Sequence, residues 1–312
     1  MNPLNMDGFL LLDKASGCSS NYALQQIKRL YQTKKAGHTG SLDPLASGML
    51  PIAFGQATKF ARFLLDAEKC YQFTCRLGIT TTTGDQEGEV LTRQAVPTFS
   101  TADILEMAKA FEGSRLQIPP MYSALKHQGQ PLYRLARQGK VIERAARPIV
   151  LYEVKVEKIE EDNTLITFTV RCSKGTYIRR LAEEMGDYLG CGAHVVSLRR
   201  LWSAPFQKAL MHSLVALTQS SLSHRLSLIF PICAVMEHCL PFIRCNSQER
   251  LLLQQGQSLP VTNLVRAGWV GISEENGDFI GVGEIDSEAR LLPRRLLHFV
   301  AAAAPMVVKS TV

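Results

Sequence analysis

No stretch of this 312-residue chain stays apolar for long: the longest runs, residues 226–236 and 298–308, fall well short of the roughly 20 residues that cross a bilayer. A membrane-spanning helix is therefore not expected. The N-terminus lacks a basic opening and carries only the apolar run Phe9 to Leu12, so it does not resemble a secretion signal and the cytoplasm is the expected location. None of the eight cysteines stands in a CxxC pair or has a histidine at zinc-finger spacing, so they read as reduced, mostly buried thiols. Also missing are the GxxxxGK[ST] phosphate loop, GxSxG, HExxH and the HxE with PCxxC of zinc deaminases, and "GVG" at 281–283 is too short for a dinucleotide fold. These absences argue against ATP, NAD and metal chemistry: no cofactor and no metal is expected.

What the chain does hold is positive charge and enough apolar residues for a sizeable core. A 46% hydrophobic content at this length fits one large domain with a small companion. A net charge of +7 points to an anionic partner, and the charge is concentrated: Arg115, Lys126, Arg134, Arg137, Lys140, Arg144 and Arg147 face a single acid, Glu143.

Periodicity orders the rest. "GFLLLDK" reads as a buried strand; "NYALQQIKRLYQ" predicts a helix over about 19–32; "ATKFARFLLDAEK" predicts another up to about Glu68. Tyr71, Phe73, Cys75, Leu77 and Ile79 alternate as in a half-buried strand. A helix capped at Ser100 or Thr101 stops at Gly113, and the proline- and tyrosine-containing basic segment that follows reads as an excursion from the core. "VLYEVKVEKIEE" and "TLITFTVRCSKG" form a hairpin around Asp162 and Asn163, and an amphipathic helix runs on to Gly190. The segment from about 203 to 240 has no assignment. Short strands from about Ser247 predict a small β domain over 247–312, leaving 1–246 as the main one.

Several residues could carry chemistry. Asp43 stands before Pro44 in "GHTGSLDPLASG", a common turn pairing; His38 is flanked by glycine; Lys14 follows Asp13; Tyr177 and Arg179 are two apart, and Arg179 could pair with Glu183 one helical turn on. Taken singly, none identifies a reaction.

Together they do. "LLLDKASGCSSN", "GHTGSLDPLASGMLPIAFGQATKF", "KCYQFTCRLGITTTTGDQEG", "IPPMYSALKHQGQPLYRLARQG", "RCSKGTYIRRLAEEMG" and "GCGAHVVSLRRL" resemble, in order and spacing, the bacterial tRNA pseudouridine-55 synthases of the TruB family over nearly all of residues 8–202. The C-terminal region more weakly resembles that family's small PUA-type RNA-binding domain. The resemblance implies an α+β fold with a mixed, largely antiparallel sheet flanked by helices, and isomerisation of uridine 55 in the T-loop of tRNA without a cofactor. It implies Asp43 as nucleophile, Arg179 as its cationic partner and Tyr71 as a stacking platform that helps remove the C5 proton. Tyr177 and Leu198 become walls of the base pocket, His38 the residue that enters the RNA loop, and Lys14 a substrate contact. The 115–147 excursion resembles the insertion that clamps the T-arm, with the enzyme acting as a monomer on tRNA.

Two positions depart from the family pattern. Ala15 stands where proline usually follows Lys14, and Thr82 where the TDTxDxxG loop usually has Asp. The alternatives are a guide-dependent synthase, which resembles a shorter core without the excursion, and an RNA-binding module without catalysis.

Overall fold

The computed structural model describes residues 6–160, 163–261 and 267–297. β1 (Gly8–Lys14) shows no polar alternation because both of its faces meet a core: Leu10 and Leu12 join one apolar cluster, Phe9 and Leu11 a second. α1 (Ser20–Leu30) starts at Ser19, whose hydroxyl accepts from the Tyr22 amide, and buries Ala23, Leu24 and Ile27 on the first cluster. β2 (Ala36–His38) and β3 (Ser47–Phe54) bracket the loop that holds Asp43.

The single helix expected up to Glu68 is instead a 3₁₀ turn over Gly55–Lys59 followed by α2 (Ala61–Leu65). Ala57, Phe60 and Leu64 lie three and four residues apart, a spacing that a 3₁₀ turn leading into an α turn buries against the second cluster. β4 (Lys69–Leu77) alternates as its sequence predicts, burying Tyr71, Phe73, Cys75 and Leu77 and exposing Gln72 and Arg76. β5 (Ile79–Thr81) and β6 (Val90–Arg93) form a separate two-stranded ribbon. α3 (Thr101–Phe111) opens with a capping box between Ser100 and Asp103.

The basic segment begins inside β7 (Gly113–Gln117) and holds β8 (Lys126–His127), β9 (Gln130–Pro131) and α4 (Leu132–Ala136) before β10 (Arg147–Ile159). β10 pairs antiparallel with β11 (Leu165–Cys172); Asn163 turns with φ 55°, and Asp162 lies outside the described residues. α5 (Ile178–Tyr188) and β12 (Ala193–Ser203) complete the centre. The unassigned segment contains β13 (His212–Ser213), α6 (Leu214–Gln219), α7 (Leu222–Ser227) and α8 (Ile232–Met236). Ser213 and Ser221 cap two of these helices by accepting from the amides of Ala216 and His224.

The main sheet runs β13-β1-β3-β12-β4-β11-β10-β7, with β2 also on β3; the β13–β1 and β3–β12 junctions are parallel and the others antiparallel. α1, α3 and α5 contribute to the apolar cluster on one face, the expected mixed α+β architecture. β14 (Phe242–Cys245), α9 (Ser247–Gln254), β15 (Leu259–Pro260), β16 (Gly268–Glu274), β17 (Phe279–Ile285) and β18 (Arg290–Leu296) form the C-terminal unit, whose sheet is ordered β14-β16-β17-β18-β15. Its first strand precedes residue 247, and the unit docks through aromatics: Phe279 packs edge-on to Phe60 at 5.4 Å and Trp269 to Phe63 at 5.5 Å. Among the described residues no helix is long and apolar enough to cross a membrane.

Candidate active site

Asp43 sits in a loop strapped at successive residues to the turn between β1 and α1. The Leu42 amide donates to Ser20 Oγ at 2.7 Å and the Ser20 hydroxyl donates to the Leu42 carbonyl at 3.0 Å. The Pro44 carbonyl accepts from the Gly17 amide at 2.9 Å, and the Leu45 carbonyl from the Ser16 hydroxyl at 2.7 Å. Pro44 thus combines a fixed φ with an anchored carbonyl, and the carboxylate beside it has a fixed origin.

Lys14, expected as a substrate contact, is 1% exposed and its ammonium donates to the carbonyls of Ala15 (2.9 Å), Cys18 (2.7 Å) and Pro44 (3.5 Å). With three donors on three carbonyls it braces the Asp43 loop from below, and burial pushes its pKa down. The glycines of the same stretch serve packing. Gly48 has φ 100°, and a Cβ there would stand 2.2 Å from the Arg200 carbonyl oxygen, so this glycine admits a neighbouring strand. Gly37 alone of the pair around His38 has open space about it.

Asp43 Oδ2 lies 2.9 Å from Arg179 Nε; the guanidinium is 6% exposed and the carboxylate side chain 42%. Arg179 is held on its other sides by the Thr83 carbonyl (2.8 Å from Nη1), the Tyr122 carbonyl (2.6 Å from Nη2) and the buried Asp85 carboxylate (3.5 Å). Asp85 in turn accepts from the Thr83 hydroxyl at 2.5 Å and the Glu87 amide at 3.1 Å. The alternative pairing of Arg179 with Glu183 does not form: Arg180 takes both Glu183 (3.1 Å) and Glu184 (3.3 Å). Burial pushes the Asp43 carboxyl above the usual carboxylate range, Arg179 pulling it back and Asp85 adding to the push. The guanidinium therefore limits the rise instead of setting the carboxyl low.

Tyr71, Tyr177 and Leu198 come together with Asp43 and Arg179 around a cavity of about 120 Å³ that also meets Ser41, Leu42 and Thr176. That is well below the roughly 300 Å³ at which drug-sized sites begin, and it suits a single small ring. Antiparallel pairing sets Arg200 opposite Tyr71 and Leu198 opposite Phe73. Arg200, 1% exposed, donates to the Met49 carbonyl at 2.6 Å, the Gly40 carbonyl at 3.0 Å and the Tyr71 hydroxyl. Burial keeps the Tyr71 phenol pKa high, Arg200 opposing, and likewise raises Tyr177. His38 is half-buried on β2 and does not line the cavity; burial lowers its pKa, and Nδ1 has no hydrogen-bond partner among the described residues.

The roles of Asp85, Arg200 and Gln117 are not evident from the sequence. Gln117, 2% exposed, accepts from the Tyr177 amide at 2.8 Å and donates to the Tyr177 carbonyl at 3.2 Å, fixing the residue before α5. Asp85 was traceable as a retained position of the TDTxDxxG-like loop; Arg200 and Gln117 carry no local signal, because their partners are 60 or more residues away. Among the described residues no three of His, Cys, Asp and Glu cluster in a manner that could hold a metal ion.

Comparison with known proteins bears on this geometry. Residues 28–178 match the TruB family pseudouridylate synthase N-terminal domain, 179–232 the tRNA pseudouridylate synthase B C-terminal domain, and 241–297 the pseudouridine synthase II TruB C-terminal domain. The chain is 47% identical over 297 residues to the tRNA pseudouridine synthase B of Coxiella burnetii, covering 94% of this chain and 95% of that one. It is 46% identical over 301 residues to the protein of the same name from Chromohalobacter salexigens, covering 96% and 97%. The solved structure of a Cbf5-Nop10-Gar1 complex contains a similar fold, with a TM-score of 0.71 at 27% identity over 90% of this chain and 79% of that one. Full-length similarity at this level shows that the chain belongs to the TruB family of tRNA pseudouridine synthases.

Proposed function

We propose that this enzyme isomerises uridine 55 in the T-loop of tRNA, with Asp43 as the nucleophile and Arg179 as its partner. The observation that carries the reading is a carboxylate 2.9 Å from a buried guanidinium at the mouth of a cavity of about 120 Å³ walled by two tyrosines and a leucine. Uridine inside a folded loop cannot reach that cavity unless it flips out, at a cost of a few kcal/mol that stacking on Tyr71 and a basic surface offset. Asp43, ionised, attacks the flipped nucleotide; the N1–C1′ bond breaks, the uracil turns within the cavity, a C5–C1′ bond forms, and the bond to Asp43 breaks to restore the free carboxylate. C5 then gives up its proton and N1 gains one, so the product is an isomer and no group leaves. Tyr71 gives its phenol proton to N1 and the phenolate so formed takes the proton from C5, which restores the phenol; the Arg200 guanidinium on its oxygen lowers the cost of that transient phenolate.

Around the cavity, Tyr177 and Leu198 bound the base and His38 takes the space that the flipped nucleotide vacates. Lys14 serves the site by supporting the Asp43 loop. Residues 115–147 clamp the T-arm, and the C-terminal sheet, which opens with β14, is a PUA-like RNA-binding unit beside a catalytic domain that ends near residue 240. The enzyme acts as a monomer in the cytoplasm.

The test is tritium release from a T-arm stem-loop carrying one [5-³H]uridine at position 55. Wild type is expected to release the label, and Asp43→Asn to bind the stem-loop with unchanged affinity while release falls by about 10⁴-fold or more. Full turnover by Asp43→Asn overturns the assignment.

A further inference from the structure

A second cavity lies outside the catalytic centre, under the β5–β6 ribbon. At about 340 Å³ it is larger than the catalytic one, and Arg76, Arg93, His194 and Gln86 line it together with Ile79 and Val196. No acidic residue is among its walls. Among the described residues neither the Arg76 nor the Arg93 guanidinium has an ion-pair or hydrogen-bond partner, so two cations face the same space uncompensated. Paired positions on β4 and β12 put Arg76 directly opposite His194, which places both on rigid strands.

His194 gives the cavity a second chemistry. It is 6% exposed and its Nδ1 lies 2.9 Å from the Ile79 carbonyl oxygen. A carbonyl only accepts, so Nδ1 carries the hydrogen, and in that tautomer Nε2 offers a lone pair; Nε2 is not among the buried atoms without a partner. A phosphodiester has no proton to donate to such a nitrogen; a hydroxyl does. Two guanidinium groups for a phosphate and one acceptor for a hydroxyl match the two functional groups of a ribonucleotide backbone unit, and the 2′-hydroxyl is the one DNA lacks.

We propose that this cavity is a ribose–phosphate subsite for a strand of the substrate RNA, with Arg76 and Arg93 on a backbone phosphate and His194 Nε2 accepting from a 2′-hydroxyl. The proposal rests on the RNA-modifying reading above. The apolar walls at Ile79 and Val196 pack against the sugar. The loop between the ribbon strands joins the two sites, since Gln86 lines this cavity while the adjacent Asp85 contacts Arg179.

The experiment uses the full chain, the tritiated T-arm stem-loop, and two variants. Arg76→Ala with Arg93→Ala removes exposed, unpaired side chains. His194→Asn retains a donor for the Ile79 carbonyl and removes Nε2. The double arginine variant is expected to bind the stem-loop about 10- to 100-fold more weakly, with a salt slope smaller by about 1, and to turn over normally at saturation. In a panel of stem-loops each bearing one 2′-deoxynucleotide, one position is expected to weaken wild-type binding and leave His194→Asn unaffected. Unchanged affinity and slope in the arginine variant overturn the subsite, as does a deoxy effect of equal size in wild type and His194→Asn. Inorganic phosphate that raises the melting temperature of wild type but not of the arginine variant, with RNA affinity unchanged, overturns the RNA source in favour of a free anion. Tritium release keeps the two readings apart: release by wild type with a failed subsite leaves the catalytic assignment standing, and no release by wild type removes that assignment itself.

Discussion

The Asp43 loop and the basic segment 115–147 lie at the same site and are built in opposite ways. The loop is tied to the β1–α1 turn at Leu42, Pro44 and Leu45, with a buried lysine beneath it. Among the described residues none of the seven cations of the basic segment is in an ion pair, the guanidinium groups of Arg115 and Arg144 alone donating to backbone carbonyls, and Leu116 and Val141 are largely exposed. Chemistry needs a carboxylate held to a fraction of an ångström before substrate arrives, whereas gripping RNA needs cations whose partners are still to come. The two regions meet where Arg179 donates to the Tyr122 carbonyl and Gln117 holds both sides of Tyr177. The basic segment proposed to grip RNA is therefore also part of the scaffold that aims Arg179.

The largest effect on this contrast is expected from Arg179→Ala. It leaves Asp43 and the buried Asp85 facing each other without their shared cation, so tritium release should fall by at least about 10³-fold and stability by about 3 kcal/mol or more. Thermal melting read alongside release checks both, and retention of both would show that the guanidinium is dispensable. Next comes the grip: Lys126, Arg134 and Arg137 changed together to Ala should weaken tRNA binding by about 100-fold and flatten its salt slope by about 3, leaving the rate at saturation unchanged. A drop in the saturated rate with affinity intact would put these residues in the scaffold instead.

A smaller loss is expected from Lys14→Met, which keeps the length of the side chain and leaves the Ala15, Cys18 and Pro44 carbonyls without their donor. We expect a loss of about 1–3 kcal/mol in stability and a lowered kcat with unchanged RNA affinity; weakened affinity at constant kcat would restore Lys14 to substrate binding. The smallest effect is on pH dependence. Burial raises the Asp43 pKa and Asp85 raises it further, and the nucleophile must be ionised, so single-turnover release should decline as pH falls through that raised value. Asp85→Asn removes a neighbouring negative charge, makes ionisation of Asp43 easier and should move the decline to lower pH. A shift to higher pH would show that Asp85 acts through Arg179 and not directly on Asp43.

Much of the fold was legible from periodicity and caps. β4 alternates as its residues predict, α1 and α3 start at the serines that cap them, and the chain over β10 and β11 forms its hairpin. The segment between β12 and the C-terminal sheet went unassigned although Ser213 and Ser221 are ordinary N-caps, because helices of six residues are too short to show a period. The helix expected up to Glu68 broke where Ala57 and Phe60 had to reach the same apolar cluster.

The sequence by itself determined which chemical groups the enzyme has and, through their order, the family they belong to: an aspartate before a proline, two tyrosines, an arginine two residues after the second tyrosine, and a block of cations. Only the tertiary structure decided what those groups do to one another. Local spacing bears only on contacts within about one helical turn, and on that basis alone Arg179 could as well have paired with Glu183. The sheet decided otherwise: β12 lies between β3 and β4, which places Arg200 behind Tyr71, while the start of α5 meets the Asp43 loop and gives Arg179 to Asp43 and Asp85. The same packing buries Lys14 and raises the Asp43 pKa, because desolvation depends on what surrounds a group in space, and Pro44 on Lys14 and Arg179 and Asp85 beside Asp43 come from distant parts of the chain.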